Sequence, residues 1–470
     1  MKYNLMTLLL LLVILGTSSM QKSDVQGLNN KNSLQPWIEN PWYWQYKGEP
    51  ILLLGASNDD NLFQWSTKML IAHLDSMKLI GANYVRNTMS DRVDRGFEIY
   101  PFKKLKNGKF DLNKWNKEYW KRFEIFLKET SKRNIIVQIE VWDRFDYSQG
   151  NWPPHPYNPK NNVNYAEKES GLRLKYPNHP GQNRQPFFFT TPNQQNNEVL
   201  LQYQRKFVEK MLSYSLKFDH VIYCMDNETS GEEEWSAYWA RFIRSKAEKK
   251  SKKVYLTEMW DSWDLKSKNH KRTFDHPELY DFCDISQNNH KRDQAHWDNF
   301  MWTKSYISSL PRPINTVKTY GADGGSHGST NNGIDSWWRH VIGGASSARF
   351  HRPDAGLGLS TLTMNSVKAA REIEKITPFW ELTPNNKLLI NRDENEAYLT
   401  SKQGEIYVVF FPDKGEVELD LQKYNSDFTL KWMNIREGKW VSESKLKGNK
   451  AVTLKTPGTK QWVAVITRID

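Results

Sequence analysis

Between residues 51 and 351, short apolar runs alternate with longer amphipathic stretches. The runs 51–54, 84–89, 135–141, 221–225, 254–256, 282–286, 314–319 and 346–351 have the length of buried strands. The stretches 63–80, 111–132, 196–218, 232–252, 293–310, 333–342 and 366–382 read as helices, with Gly81, Pro311 and Gly343 standing at helix ends. Strand and helix in regular alternation predict an α/β fold, a (β/α)8 TIM barrel over residues 40–384. A buried parallel strand of such a barrel delivers its last polar residues to the C-terminal mouth, where barrel enzymes place their chemistry.

One connection breaks the rhythm. Residues 142–195 are rich in Pro, Asn and aromatic side chains, which excludes a helix over most of their length. They predict an ordered wall beside a cleft. After Pro384 the period changes to two. Residues 396–401, 405–411, 416–421, 429–434, 439–441, 451–455 and 461–467 predict short strands of a small antiparallel β-sandwich over 385–470. Binding sugar and covering the barrel are both open roles for it. At the other end, a charged start, an apolar run at 5–15 and Gly16-Thr17-Ser18-Ser19 predict a secretory signal peptide over 1–20. A polar leader over 21–39 follows. The run is too short to span a bilayer, so the expected location is periplasmic or secreted, with no membrane span.

Composition adds three constraints. The chain has 470 residues, a length suited to a barrel plus a small accessory unit. Its formal charge of +12 fits a polyanionic partner or a plain Lys-rich surface. Twenty Trp and 21 Tyr supply rings that stack on sugars or fill cores. The two cysteines, Cys224 and Cys283, fall in predicted strands and are expected as buried free thiols. No Cys/His cluster has zinc-ligand spacing, so no metal or cofactor is expected. Nucleic acid is not an expected partner, because no binding motif is present.

The residues that close the runs form one polar set. Asn58 and Asp59 follow the first run, Arg86 and Asn87 the second, and Glu140, Trp142 and Asp143 the third. Asp226, Asn227 and Glu228 end the fourth, Glu258 and Trp260 the fifth, and Gln287, Asn288, Asn289 and His290 the sixth. Lys318, Tyr320 and Asp323 end the seventh, and Arg349, His351 and Arg352 the eighth. Asp226 to Ser230 also reads as a helix start, with Glu232, Glu233 and Glu234 complementing the dipole; the two readings are compatible.

This layout resembles the clan of retaining glycoside hydrolases built on TIM barrels. The likeness is carried by Asn227-Glu228 at the end of the fourth strand, by WQYKGEPILLLG at 44–55 and by the sandwich after the barrel. It implies Glu228 as acid/base. The clan's nucleophile is a Glu at the tip of strand seven. Here residues 315–323 read NTVKTYGAD, with no Glu. Glu258 on strand five, or Asp323 a few residues late, would have to stand in.

That departure shifts the expected chemistry. Hydrolysis uses two carboxyl groups about 5–5.5 Å apart when retaining and about 6.5–9.5 Å apart when inverting. Lys318 and Tyr320, two residues apart on a strand, share one side and serve as general base or acid. Arg86, Arg349, His351 and Arg352 supply positive charge for a carboxylate or sulfate. The set fits β-elimination from a uronic acid, by a lyase or a dehydratase. The expected substrate is an acidic, ulvan-like polysaccharide or its oligosaccharides, with Lys318 or Tyr320 as base and Glu228 or His351 as acid. Asn87, Glu140, Trp142, Asp226, Asn227, Trp260, Asn289, His290 and Asp323 are expected to contact substrate beside the arginines. The alternatives are a glycoside hydrolase using Glu228 with Glu258 or Asp323, and a non-catalytic glycan-binding barrel.

Overall fold

A computed structural model of the chain describes residues 32–92, 95–229, 231–322 and 327–469. The expected signal peptide at 1–20, most of the leader, and Asp323 lie outside the described residues. Eight parallel-type strands follow in order: β1 (Leu53–Ala56), β2 (Tyr84–Thr88), β3 (Ile136–Asp143), β4 (Val221–Asn227), β5 (Leu256–Thr257), β6 (Cys283–Asp284), β7 (Ile314–Asn315) and β8 (Ser347–Phe350). Helices α1 (Thr67–Leu79), α2 (Lys117–Lys132), α3 (Glu198–Ser215), α4 (Glu233–Glu248), α5 (Lys268–Phe274), α6 (Asp293–Tyr306), α7 (Thr330–Ile342) and α8 (Thr361–Glu374) alternate with them.

The strands do not form one continuous ladder, which corrects the expectation of a uniformly paired barrel. One sheet runs β2-β3-β4-β5, and β6-β7 and β8-β1 form separate pairs. Scattered backbone bonds cross the seams: Asn83 N to Leu54 O at 2.8 Å, Asp281 N to Leu256 O at 2.8 Å and, between the β7 and β8 segments, Ser346 N to Ile314 O at 2.9 Å, Arg349 N to Thr316 O at 3.2 Å and His351 N to Thr319 O at 2.9 Å. The cause is side-chain competition. Ser286 Oγ accepts from Val317 N at 2.9 Å, and Ser347 Oγ accepts from Thr316 N at 3.0 Å. Hydroxyls thus satisfy N–H groups that a ladder would otherwise pair.

Period-two alternation sorts the side chains. Val221, Tyr223 and Met225 of β4 join the large cluster shared with the helices. Ile222 and Cys224 pack in a second cluster with Leu53, Tyr84, Ile136 and Val317. Trp44 plugs that cluster and donates its indole N–H to Asn315 Oδ1 at 2.9 Å. An apolar floor therefore lies under the polar strand tips. Both cysteines are buried free thiols.

Two expectations on the barrel's flanks change. Residues 111–115 are not helical: Phe110–Trp115 pairs antiparallel with Phe102–Lys104, and the Asn116 side chain caps α2 through Glu118 N. The 142–195 connection is ordered as expected, but its rings pack on one another. Tyr147 stacks on Phe187 at 4.2 Å, and Trp152, Tyr157 and Tyr176 are buried.

The C-terminal segment forms two antiparallel sheets. With β9 (Thr383–Pro384), β10 (Leu389–Ile390), β11 (Tyr398–Lys402), β12 (Ile406–Phe411), β13 (Glu416–Asp420), β14 (Asp427–Asn434), β15 (Lys439–Lys447), β16 (Ala451–Lys455) and β17 (Trp462–Arg468), one runs β9-β11-β12-β17-β14-β15. The other runs β10-β13-β16. Leu399, Val409 and Ile466 of the first meet Val417, Leu419 and Leu454 of the second in one apolar cluster.

Candidate active site

Glu228 stands just past β4 with φ of 55°, a left-handed conformation that costs a non-glycine residue about 1–3 kcal/mol and concentrates at functional sites. Lys318, past β7 on the far side of the mouth, pairs its ammonium with Glu228 and donates to Asn227 Oδ1 at 2.6 Å. Burial alone would raise the Glu228 pKa; the Lys318 charge overrides it and leaves the carboxyl at about 2. Burial likewise opposes the Lys318 charge, and Glu228 outweighs it, raising the ammonium's pKa. Both groups are therefore ionised at neutral pH, so Lys318 is not poised as a base.

Asp60 organises a second group. Its Oδ2 lies 2.7 Å from Arg86 Nη1 and its Oδ1 2.9 Å from Arg349 Nη2, with His351 Nδ1 at 3.6 Å and Arg352 Nε at 3.5 Å. Burial disfavours the Asp60 charge, yet the surrounding cations hold its carboxyl well below the usual range. Arg86 also donates to Glu140 Oε2 at 2.7 Å. Burial dominates at Glu140 and raises its carboxyl to about 7. Burial holds the His351 pKa well below the usual histidine value, so its imidazole is neutral. Tyr320 lies between His351 and His327, with ring centroids 4.4 and 4.3 Å away, and His290 continues the row 4.7 Å from His327. Burial raises the Tyr320 phenol, against its use as a base at neutral pH.

A third group is wholly buried. Arg144 Nε donates to Asp226 Oδ2 at 2.8 Å, and its guanidinium lies 4.1 Å over the Phe188 ring. Glu258 Oε1 accepts from Asp226 N at 3.2 Å and Met259 N at 2.8 Å. Burial pushes Asp226 well above the usual range and Glu258 to about 7. Glu258 is thus a brace between β4 and β5 rather than a free partner for Glu228.

The structure brings Arg86, Glu140, Asn227, Glu228, Lys318, Tyr320, Arg349, His351 and Arg352 into one linked mouth. Asn289, whose side-chain amide donates to Lys318 O at 3.5 Å, and His290 border it. Glu140 Oε1 and Asn289 Oδ1 are buried without a hydrogen-bond partner. Trp142 and Trp260 are corrected. Trp142 packs among Phe187, Phe207, Trp235 and Trp239 in the core. Trp260 is fully buried and donates to Thr273 Oγ1 at 2.7 Å, so neither ring is open to a sugar. Asn87 is buried too, donating to Thr88 O at 3.3 Å.

Asp261 is the residue that sequence reasoning missed. Thr229 N donates to Met259 O at 2.7 Å and Asp261 N to Thr229 O at 2.8 Å. These bonds set Asp261 beside Glu228 on neighbouring strand ends. Asp261 is exposed at the rim. Its partial enclosure, and then the Glu228 charge, push its carboxyl pKa up. Among the described residues no group of three or more His, Cys, Asp or Glu is placed to hold a metal ion.

No protein-family model and no curated protein matches the chain. Solved structures do. A glycoside hydrolase family 5 structure from Bacteroides vulgatus superposes with a TM-score of 0.64 at 14% identity, over 93% of this chain and 94% of that one. A structure described as a glycoside hydrolase gives 0.64 at 12% identity, over 93% of this chain and 97% of that one. The resemblance to barrel glycoside hydrolases is therefore one of fold along nearly the whole chain.

Proposed function

We propose that the chain is a carbohydrate-active enzyme that hydrolyses glycosidic bonds in an acidic glycan, with Glu228 as base and Asp261 as acid. The observation that carries this is a pair of carboxylates on adjacent strand ends whose pKa values are driven in opposite directions. Such divergence separates acid from base. Glu228, held ionised by Lys318, takes a proton from water as the water oxygen attacks the anomeric carbon. The bond from that carbon to the glycosidic oxygen breaks, and the Asp261 proton goes to the departing oxygen. A single displacement of this kind inverts the sugar. Arg352, whose side chain stays partly open at the mouth, puts positive charge where an acidic substituent would sit, while Arg86 and Arg349 are buried and ion-paired with Asp60 behind it.

Residues 40–384 then act as a (β/α)8 catalytic barrel and 385–470 as a covering β-sandwich. Export through the 1–20 segment would bring the enzyme to extracellular polysaccharide. Mass spectrometry of uronate-bearing and sulfated oligosaccharides after incubation tests the reading. Fragments whose summed mass exceeds the substrate by one water support it, and intact substrate across the panel refutes it.

A second reading, β-elimination from a uronic acid by a lyase or dehydratase, is favoured by Lys318 itself. It stands past β7, the strand whose tip carries no Glu here, and Tyr320, two residues on, lies 4.4 Å from the neutral His351. In that reading His351 takes the sugar's C5 proton, the C4–C5 double bond forms as the bond to the C4 oxygen breaks, and the proton taken by His351 goes to that departing oxygen. The products are unsaturated, absorb in the ultraviolet and gain no water.

A further inference from the structure

We propose that Trp263 and Lys291 form a subsite for an acidic sugar ring next to the Glu228–Asp261 pair; this rests on the reading of that mouth as a glycan-cleaving site. Among the described residues Trp263 is the one exposed tryptophan, at 58% exposure. An exposed indole offers a rigid amphipathic face for a sugar ring. The turn that carries it is firmly tied. Ser262 Oγ donates to Ser267 Oγ at 3.0 Å, Ser262 O accepts from the buried His270 Nε2 at 2.6 Å, and Asp264 Oδ1 accepts from Lys266 N at 3.0 Å. The exposure is thus built into the loop after β5, two residues beyond Asp261.

Lys291 comes from the next loop, one residue beyond His290. Its ammonium lies 4.2 Å from the Trp263 ring centroid, within cation–π range. His290 feels the charges of Glu228, Asp261 and Lys318, which puts this loop on the same side of the mouth. With Lys291 over one face of the indole, the other face can stack on the C–H face of a sugar, and the ammonium is within reach of a carboxylate or sulfate on that sugar. The pair selects for an anion-bearing ring adjacent to the bond being cut. An anion held there would also favour the protonated form of Asp261, the form its role as acid requires.

Titration calorimetry on the full chain and on Trp263→Ala and Lys291→Met tests this at fixed ionic strength. The probes are a uronate-bearing oligosaccharide, its carboxyl-reduced neutral counterpart and a sulfated neutral oligosaccharide. Trp263→Ala is expected to weaken every ligand by about tenfold. Lys291→Met is expected to weaken the anionic ligands by about fivefold and leave the neutral one unchanged, and whichever anionic probe responds identifies the group read. Thermal unfolding checks that both rim variants stay folded. Parental affinity in Trp263→Ala, equal weakening of neutral and acidic ligands in Lys291→Met, or no binding of any probe by the parent chain each overturns the subsite. Trp263-dependent binding without products sinks the hydrolytic reading alone, whereas cleavage with Trp263-independent affinity sinks the subsite alone.

Discussion

Two ion clusters flank the end of β4, and they behave in opposite ways. Asp226, Arg144 and Glu258 are sealed in the fold, and burial drives both acids upward. Glu228 and Lys318, two residues further along, meet at the mouth, and their attraction drives the acid down to about 2. The acids are alike in chemistry, and Asp226 and Glu228 stand two residues apart. What differs is the environment. Glu258 is surrounded by backbone N–H groups and apolar walls, while Glu228 faces a dedicated ammonium. The first cluster braces the long loop and two strands; the second holds a charge ready for chemistry.

Breaking each cluster should give a different loss. Glu228→Gln is expected to cut kcat by about 10²–10⁴-fold, the usual worth of general acid–base catalysis, with a far smaller change in melting temperature. Arg144→Met should do the reverse. It leaves the buried Asp226 carboxyl without its hydrogen-bond donor and is expected to cost roughly 1–3 kcal/mol of stability in denaturant titrations. If Arg144→Met were as stable as the parent, the bracing role assigned to the buried cluster would be wrong.

The pH dependence sharpens the contrast. Asp261 must be protonated to act, and its pKa is raised, so hydrolysis should fall as pH rises through that raised value. Asp261→Asn should remove this limb from the rate profile. Elimination by a neutral base would instead hold or gain rate as pH rises. The buried acids act on stability instead of rate. Glu258 and Glu140 titrate near 7 in the fold, whereas unfolded they lose their protons at the ordinary carboxylate pKa. The unfolded chain therefore releases protons first, and stability falls as pH rises from about 4.5 to 7, by about 1.4 kcal/mol per unit per group. Thermal scans across that range should show the decline, and Glu258→Gln should flatten it.

Much of this arrangement was legible in the chain itself. The runs at 84–89, 135–141, 221–225 and 346–351 became strands because their apolar content leaves few other solutions. The runs at 254–256, 282–286 and 314–319 shrank to two residues each: Ser286 and Ser347 hydroxyls take the Val317 and Thr316 N–H groups, and the Asp281 carboxylate takes that of Leu256. Lys318 and Glu228 were placed together by strand position alone. Trp142 and Trp260 were misread because composition does not separate a ring in the core from a ring that meets sugar. Asp261 escaped notice because it lies beyond the buried Trp260, past the last strand residue that alternation can place. Asp60 as a meeting point for Arg86, Arg349 and Arg352 needed three separate strand ends to converge, which a linear pattern does not record.

The most direct test of the Glu228–Asp261 assignment is proton NMR of the anomeric position during the first turnovers on an acidic oligosaccharide, run in heavy-oxygen water with product masses read in parallel. The account expects a newborn reducing end of inverted configuration carrying one labelled oxygen. A retained configuration, or an unsaturated product with no label, would contradict it.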